Sequence, residues 1–306
     1  MERFRYILLV IDIIDQLHNH TRCRSIPTPQ YVKTPLFFTK NQVMKVLLVS
    51  IAIGEKCLHD YNLLFRSNQS QYAEKHGYDF KVVTEPIDNT HGEIIVDNRN
   101  IIPYMQKSLV CELNEALDYD FVVYVDTDVY INCNSPPIHT HHEFGDKIGV
   151  VDEWAQPSYD EKAFVHEFYE LPDRSPNDYI KRNGFGGIGD LGRKLMNSGV
   201  IVFQPRKHKA HMQAYYDWVI HLAPTTAKTL HYEQASLSYY LTCNNLLFWM
   251  DKKFNAIWNH QFSVFEIHQV SLDPAPYFKQ NYFVHLVEKR HHESVPIFAK
   301  INMGIE

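Results

Sequence analysis

The stretch Phe121-Val-Val-Tyr-Val-Asp-Thr-Asp-Val-Tyr-Ile131 restricts what this chain can fold into more than any other segment. Its first five residues are β-branched or aromatic with no polar interruption, the composition of a strand buried on both faces of a parallel sheet. Such a strand needs helices packed on both sides, so the segment predicts an α/β domain. Two carboxylates, Asp126 and Asp128, then break the run. In extended backbone alternate side chains share a face, which puts these two on the same side roughly 7 Å apart. Anions held so close repel each other unless a cation lies between or beside them. Hard oxygen ligands that leave positions for phosphate oxygens suit Mg²⁺ or Mn²⁺. The carboxyl ends of strands are also where open α/β sheets bind ligands. An Asp-x-Asp triplet is equally a common turn former, but here the apolar pattern resumes at once with Val129, Tyr130 and Ile131, unlike a solvated turn.

With 306 residues, 45% of them hydrophobic, the chain can bury a substantial core. A net charge of -6 and the absence of long Lys/Arg runs argue against nucleic acid as a partner. The histidine clusters His139, His141, His142 and His291, His292 read as surface loops. Five cysteines, at positions 23, 57, 111, 133 and 243, show no metal or redox spacing and read as reduced core thiols.

Near the amino terminus Arg3 and Arg5 precede the apolar run Tyr6 to Ile14. A membrane-spanning helix needs about 20 apolar residues, and Asp12 and Asp15 interrupt this one, so no spanning segment is expected. Residues 16 to 43 are polar and carry Pro27, Pro29 and Pro35, like a linker. The expected organisation is an appendage and linker over 1–43, one domain over 44–292 and a tail over 293–306. A cytoplasmic or peripheral location follows, or the Golgi lumen if the apolar run acts in targeting.

From Met44 the pattern alternates. Val46 to Ile53 predicts a strand, 57–77 a helix, Tyr78 to Thr84 a strand and Pro86 to Arg99 a polar connection. A helix is predicted from Pro103, with Met105, Leu109, Leu113 and Leu117 recurring every fourth residue. Further strands are expected at Ile148 to Asp152, Met196 to Phe203, Leu246 to Met250 and Tyr282 to Leu286, with helices at Arg206 to Leu222 and His231 to Leu241. Residues 153–193, aromatic and rich in Gly and Pro, read as one long irregular segment of the lid or binding-loop kind.

The order of these segments resembles that of retaining GT-A glycosyltransferases, especially the family of galactosyl-, mannosyl- and xyloglucan xylosyltransferases, with glycogenin-like enzymes as next relatives. The resemblance covers roughly residues 45 to 290 and rests on five features in one order. They are a Lys107-bearing helix, Tyr124-Val-Asp-Thr-Asp128, Asn197-Ser-Gly-Val-Ile-Val-Phe203, Glu233-Gln-Ala-Ser-Leu237 and a late strand ending in His285. Two departures stand out: Glu233 precedes Gln234 where the family often has Asp, and the glycine of the family's His-Phe-x-Gly loop is missing from His285-Leu-Val-Glu-Lys289.

The resemblance implies a GT-A, Rossmann-like, mostly parallel sheet flanked by helices. It also implies metal-dependent transfer of a hexose or pentose, with retained anomeric configuration, from a nucleotide-diphosphate sugar to a glycan or protein-linked hydroxyl acceptor. A UDP-sugar is expected rather than a GDP-sugar. Asp126, Asp128 and His285 would ligate Mn²⁺, which an imidazole ligand favours over Mg²⁺. Lys107, Asp126, Asn197, Ser198 and Lys289 would contact the donor, Lys289 by adding positive charge at the leaving phosphate. Gln234 would lie near the anomeric carbon, with Glu233 orienting sugar hydroxyls and Asp128 acting in catalysis through the metal. Each residue also has a plain structural reading: His285 as a hydrogen-bonded core histidine, Glu233 and Gln234 as first-turn helix residues. Trp154, Trp258 and Asn259 are candidates for an acceptor platform, although tryptophan is largely buried on average. Competing classes are a nucleotidyltransferase and a GT-A domain that binds nucleotide sugar or glycan without turnover.

Overall fold

The computed structural model describes residues 44–96, 99–186, 188–222, 233–269, 273–287 and 291–305. The expected appendage 1–43, Cys23 within it, and Lys289 lie outside the described residues.

The main sheet has six strands in the order β2-β1-β5-β8-β7-β9. They are β1 (Val46–Ile51), β2 (Asp79–Val83), β5 (Phe121–Val125), β7 (Ile148–Asp152), β8 (Met196–Phe203) and β9 (Leu247–Trp249). The β1–β2, β1–β5 and β7–β9 pairs are parallel, whereas β8 runs antiparallel to both β5 and β7. The sheet is therefore mixed, with one reversed strand at its centre.

Both faces are buried, as the continuous apolar strands require. Leu47, Val49, Val122, Tyr124, Ile201 and Phe203 belong to the core on one face. The alternate residues Val46, Leu48, Val123, Val125, Val200 and Val202 form the core on the other. A second sheet of three strands joins β6 (Val129–Ile131), β11 (Phe283–His285) and β10 (Ala256–Ile257), with β11 in the middle. Two-residue strands β3 (Ile95–Val96) and β4 (Arg99–Asn100) make a small hairpin in the polar connection.

The helices depart from expectation in three places. The single helix predicted over 57–77 is two, α1 (Glu55–Leu64) and α2 (Arg66–His76), broken at Phe65, whose φ of -121° is not helical. Phe65 is buried with Tyr61 in a third core cluster. Gly77 ends α2 in the left-handed conformation, φ 67°, which glycine adopts without steric cost.

The segment from Pro103 is a four-residue α3 (Ile102–Met105) that tightens into a 3-10 helix over Gln106–Glu112, followed by another at Ala116–Asp118. A 3-10 helix repeats every three residues, so the four-residue spacing of leucines does not line one face, and Leu117 is 43% exposed. The stretch 153–193 is largely helical rather than irregular. It holds α4 (Tyr159–Phe168) and α5 (Pro176–Arg182), capped by Ser158 and Ser175 accepting from the backbone of Glu161 and Asp178.

The remaining helices are α6 (Pro205–Leu222), α7 (Glu233–Cys243), α8 (Trp258–Ile267), α9 (Ala275–Gln280) and α10 (His291–Asn302). The last begins before the 292/293 boundary read from the sequence, and its Phe298 stacks on Phe278 with ring centroids 4.2 Å apart. Among the described residues no helix is long and apolar enough to cross a membrane.

The cysteines are not all reduced core thiols. Cys57, Cys111 and Cys133 are free, Cys133 is exposed, and Cys243 is disulfide-bonded. Pairing depends on Cα atoms coming within about 7 Å, which the fold decides and sequence spacing does not.

Candidate active site

Asp126 and Asp128 do not sit on one extended strand. β5 ends at Val125, and the triplet forms the turn that carries the chain from the six-stranded sheet into β6 of the three-stranded one. Val129 N–H donates to Asp126 O at 3.2 Å and closes this turn. Buried Gln69 holds it from beneath, its Nε2 donating to the carbonyls of Asp126 and Val129, each at 3.0 Å. The turn, rather than strand alternation, points both carboxylates the same way.

His285 ends β11, which pairs with β6 so that His285 lies opposite Val129. Its Nε2 is 3.1 Å from Asp128 Oδ1 and 3.8 Å from Asp126 Oδ2. One ligand atom from each of the three residues falls within 4.8 Å of the others. Burial opposes the imidazolium, but the carboxylates of Asp128 and Asp126 together outweigh it and raise the His285 pKa; burial also raises that of Asp126, against the pull of Lys107. Concentrated negative charge of this kind, with one imidazole, fits a divalent cation of the Mn²⁺ or Mg²⁺ class.

Space for the imidazole comes from Gly199 on β8. A Cβ at that position would stand 2.4 Å from His285 Cε1 and Nδ1, closer than any real contact. The Gly199 carbonyl accepts from Asp126 N–H at 2.8 Å, so this glycine touches two of the three candidate ligands.

Lys107 lies beneath the carboxylates, 6% exposed. Its Nζ is 3.1 Å from Asp126 Oδ1 and 2.8 Å from Glu233 Oε1, and it donates to Ser198 Oγ at 3.4 Å. Ser198 Oγ in turn donates to Glu233 Oε1 at 2.5 Å. Burial works against the ammonium, but the two carboxylates dominate and raise its pKa. Tyr124 adds a hydroxyl donated to Asp126 Oδ1. Glu233, 2% exposed, is thus bound to Lys107 and Ser198 inside the protein.

A second group lies beside the first. Gln234 Nε2 donates to Glu153 Oε2 at 2.6 Å, and Asn197 Nδ2 contacts both Glu153 Oε2 and Gln234 Oε1 at 3.2 Å. Lys162 Nζ and His260 Nε2 approach the other Glu153 oxygen at 3.6 and 3.8 Å. Burial would raise the Glu153 carboxyl, but Lys162 and His260 hold it below the usual carboxylate range.

His285 Nδ1, 3.2 Å from Asn197 Oδ1, links the two groups, so that Asp126, Asp128, His285, Lys107, Ser198, Glu233, Asn197 and Gln234, all singled out in the sequence, are joined by one chain of contacts. Sequence reading missed Glu153, Lys162 and His260, as well as Asn255, whose Nδ2 donates to Asn197 Oδ1 at 2.7 Å. Trp154 and Trp258, 5% and 1% exposed, are packed away, Trp154 against His166 and Lys162 and Trp258 against Phe262, Phe265 and Tyr277. Asn259 is exposed, but neither indole offers a free face for a sugar. The histidine cluster 139–142 also serves the structure: His139 bonds Tyr78 at 2.6 Å and His142 Nε2 accepts from Asp251 N–H at 3.0 Å.

No protein-family model and no curated protein matches the sequence. Solved structures do resemble the fold. A glycosyltransferase involved in the glycosylation of the major capsid of PBCV-1 superposes with a TM-score of 0.50 at 15% identity, covering 83% of this chain and 98% of that one. An active-site mutant of LgtC gives 0.51 at 14% identity, covering 84% and 95%. With its six-stranded mixed sheet flanked by helices, and a match that spans nearly the whole length of these two proteins, this chain has the GT-A glycosyltransferase fold.

Proposed function

We propose that the protein is a metal-dependent glycosyltransferase, moving a hexose or pentose from a nucleotide-diphosphate sugar to a hydroxyl acceptor on a glycan or protein. The observation that carries this reading is the meeting of Asp126, Asp128 and His285 where β5 leaves the sheet, with the buried ammonium of Lys107 beneath them. The similarity to two glycosyltransferase structures supports the same reaction class.

Asp126, Asp128 and His285 would hold Mn²⁺ or Mg²⁺. When bound, that cation supplies a Lewis acid for the departing diphosphate. Lys107 fixes Asp126 in place and keeps a positive charge in a site from which water is largely excluded, where electrostatic interactions strengthen. Glu233 anchors Lys107 and Ser198. To Gln234, held beside Glu153 and Asn197, we assign the place near the anomeric carbon, to Asn197 contact with the donor sugar, and to the reaction retention of configuration with front-face attack. The donor class we assign is a UDP-sugar in preference to a GDP-sugar.

The test is a panel of UDP- and GDP-sugars assayed for slow hydrolysis with Mn²⁺. Release of nucleoside diphosphate from one of them, lost on chelation and restored by Mn²⁺, is the expected result. Consumption of a nucleoside triphosphate without any nucleotide-sugar turnover would move the assignment to a nucleotidyltransferase. Binding of a nucleotide sugar with no turnover would leave a binding domain.

A further inference from the structure

The acceptors around His285 Nδ1 decide more than its position. The two ends of an asparagine amide are distinguished by their hydrogen-bond partners. One end of Asn197 meets donors and the other acceptors. The backbone N–H of Gly199, always a donor, points at Asn197 Oδ1 from 2.9 Å. At the other end, 3.2 Å from Asn197 Nδ2, lies the Glu153 carboxylate, which as an anion can only accept. Asn197 therefore has one possible orientation.

That orientation passes to the next residue. Asn255, 0% exposed, donates its Nδ2 to Asn197 Oδ1 at 2.7 Å, which turns its own Oδ1 towards His285. His285 Nδ1 then faces two amide oxygens, Asn255 Oδ1 at 3.1 Å and Asn197 Oδ1 at 3.2 Å. A ring nitrogen facing two acceptors and no donor must carry a proton. The other nitrogen, Nε2, is the one directed at Asp128 and Asp126.

We propose that Asn197 and Asn255, oriented by Glu153 and the Gly199 amide, are positioning residues that fix a proton on His285 Nδ1, so that Nε2, which shares its proton with the Asp128 carboxylate in the metal-free protein, is the nitrogen that releases a proton to solvent and turns its lone pair to a divalent cation. The inference rests on the metal part of the function proposed above and on no turnover. It gives Asn197 a role behind the metal ligand, distinct from contact with the donor sugar. Partners that orient a metal-bound histidine in this way are commonly worth about ten- to a hundredfold in metal affinity or activity.

The experiment uses the whole chain labelled with ¹⁵N-histidine, the His285 signals being identified by their loss in His285→Gln. Loaded with ¹¹³Cd²⁺, the wild type should show the metal coupling on Nε2 and the proton on Nδ1. Coupling on Nδ1, or no metal coupling at all, overturns the proposal. Asn197→Leu and Asn255→Leu, each keeping the branched shape while removing the amide, should bind Mn²⁺ about ten- to a hundredfold more weakly by calorimetry, with His285 no longer confined to one tautomer. Mn²⁺ affinity within twofold of wild type in either folded variant also overturns it. Metal bound through Nε2 by a protein that turns over no nucleotide sugar would sink the proposed function and leave this inference standing.

Discussion

Lys107→Met tests the charge balance of the site most directly. The ammonium is buried between Asp126 and Glu233, 2.8 Å from the latter, while the variant keeps the aliphatic stem and removes only the charge. Glu233 is then left with the Ser198 hydroxyl alone of these partners, and Asp126 with the Tyr124 hydroxyl and the His285 imidazole 3.8 Å away. Breaking a buried ion pair by deleting one partner costs about 3–5 kcal/mol. In a domain of this size each kcal/mol lowers the melting temperature by about 2–4 °C, so a fall of roughly 6–20 °C near neutral pH is expected. The sign of the pH dependence is also fixed. Burial already raises the Asp126 carboxyl against the pull of Lys107; without the ammonium it rises further above its unfolded-state value, the native state binds more protons, and stability is regained as pH falls. Thermal unfolding of wild type and variant at several pH values checks this. The gap should be widest near neutrality and narrow as pH falls towards the ordinary carboxylate range. Adding Glu233→Leu to the variant should recover part of the loss, because one stranded charge is then removed with its partner. A melting temperature within 2 °C of wild type at every pH would refute the electrostatic account of this cluster.

Asp128→Ala should abolish Mn²⁺-dependent binding of nucleoside diphosphate in calorimetric titration, and unchanged affinity would remove Asp128 from the ligand set. Gly199→Ala places a methyl 2.4 Å from the His285 ring; overpacking of this kind costs about 1–3 kcal/mol, and Mn²⁺ affinity should fall as the imidazole is displaced, measured by denaturant unfolding and calorimetry. Trp258→Ala removes a side chain that is 1% exposed and should lose about 3–5 kcal/mol in the same unfolding assay; a loss below 1 kcal/mol would mean the indole is not part of the packed core. His208 is held neutral by burial, its pKa pushed down to about 3. The unfolded chain takes up that proton first, so stability drops as pH falls below about 6.5, at up to about 1.4 kcal/mol per pH unit for this one group, and His208→Gln should flatten that part of the stability profile.

The strands were legible because burial on both faces leaves an uninterrupted apolar run, and Phe121 to Val125 needs no partner in the sequence to be recognised. The carboxylates after it were legible for the opposite reason, as a polar break where none is needed. Other features failed for identifiable causes. Leu109 and Leu113 suggested a period of four, but the 3-10 helix Gln106–Glu112 buries Gln106, Lys107 and Ser108 as well, so polarity there marks contacts and not a solvent face. The insertion 153–193 was read through its Gly and Pro content, although Ser158 three residues before Glu161 and Ser175 before Pro176 were helix-start signals in plain view. Glu153 could not be found by motif, being a single carboxylate after a strand whose meaning depends on Asn197 and Gln234 arriving from elsewhere in the chain. Its one sequence signal was position, at the carboxyl end of a buried strand, the place already given weight for Asp126.

The turn at 126–128 leaves one sheet and enters the other, while His285 belongs to the second sheet alone. A cation shared among these three side chains would act as a rivet through two separately hydrogen-bonded layers. Amide protons of β6 and β11 should therefore exchange more slowly in the loaded protein than in the metal-free one, and chelation would be felt as loosening between layers as well as loss of chemistry. Substitutions at the seam between the sheets, far from any substrate, then become a means of tuning metal affinity.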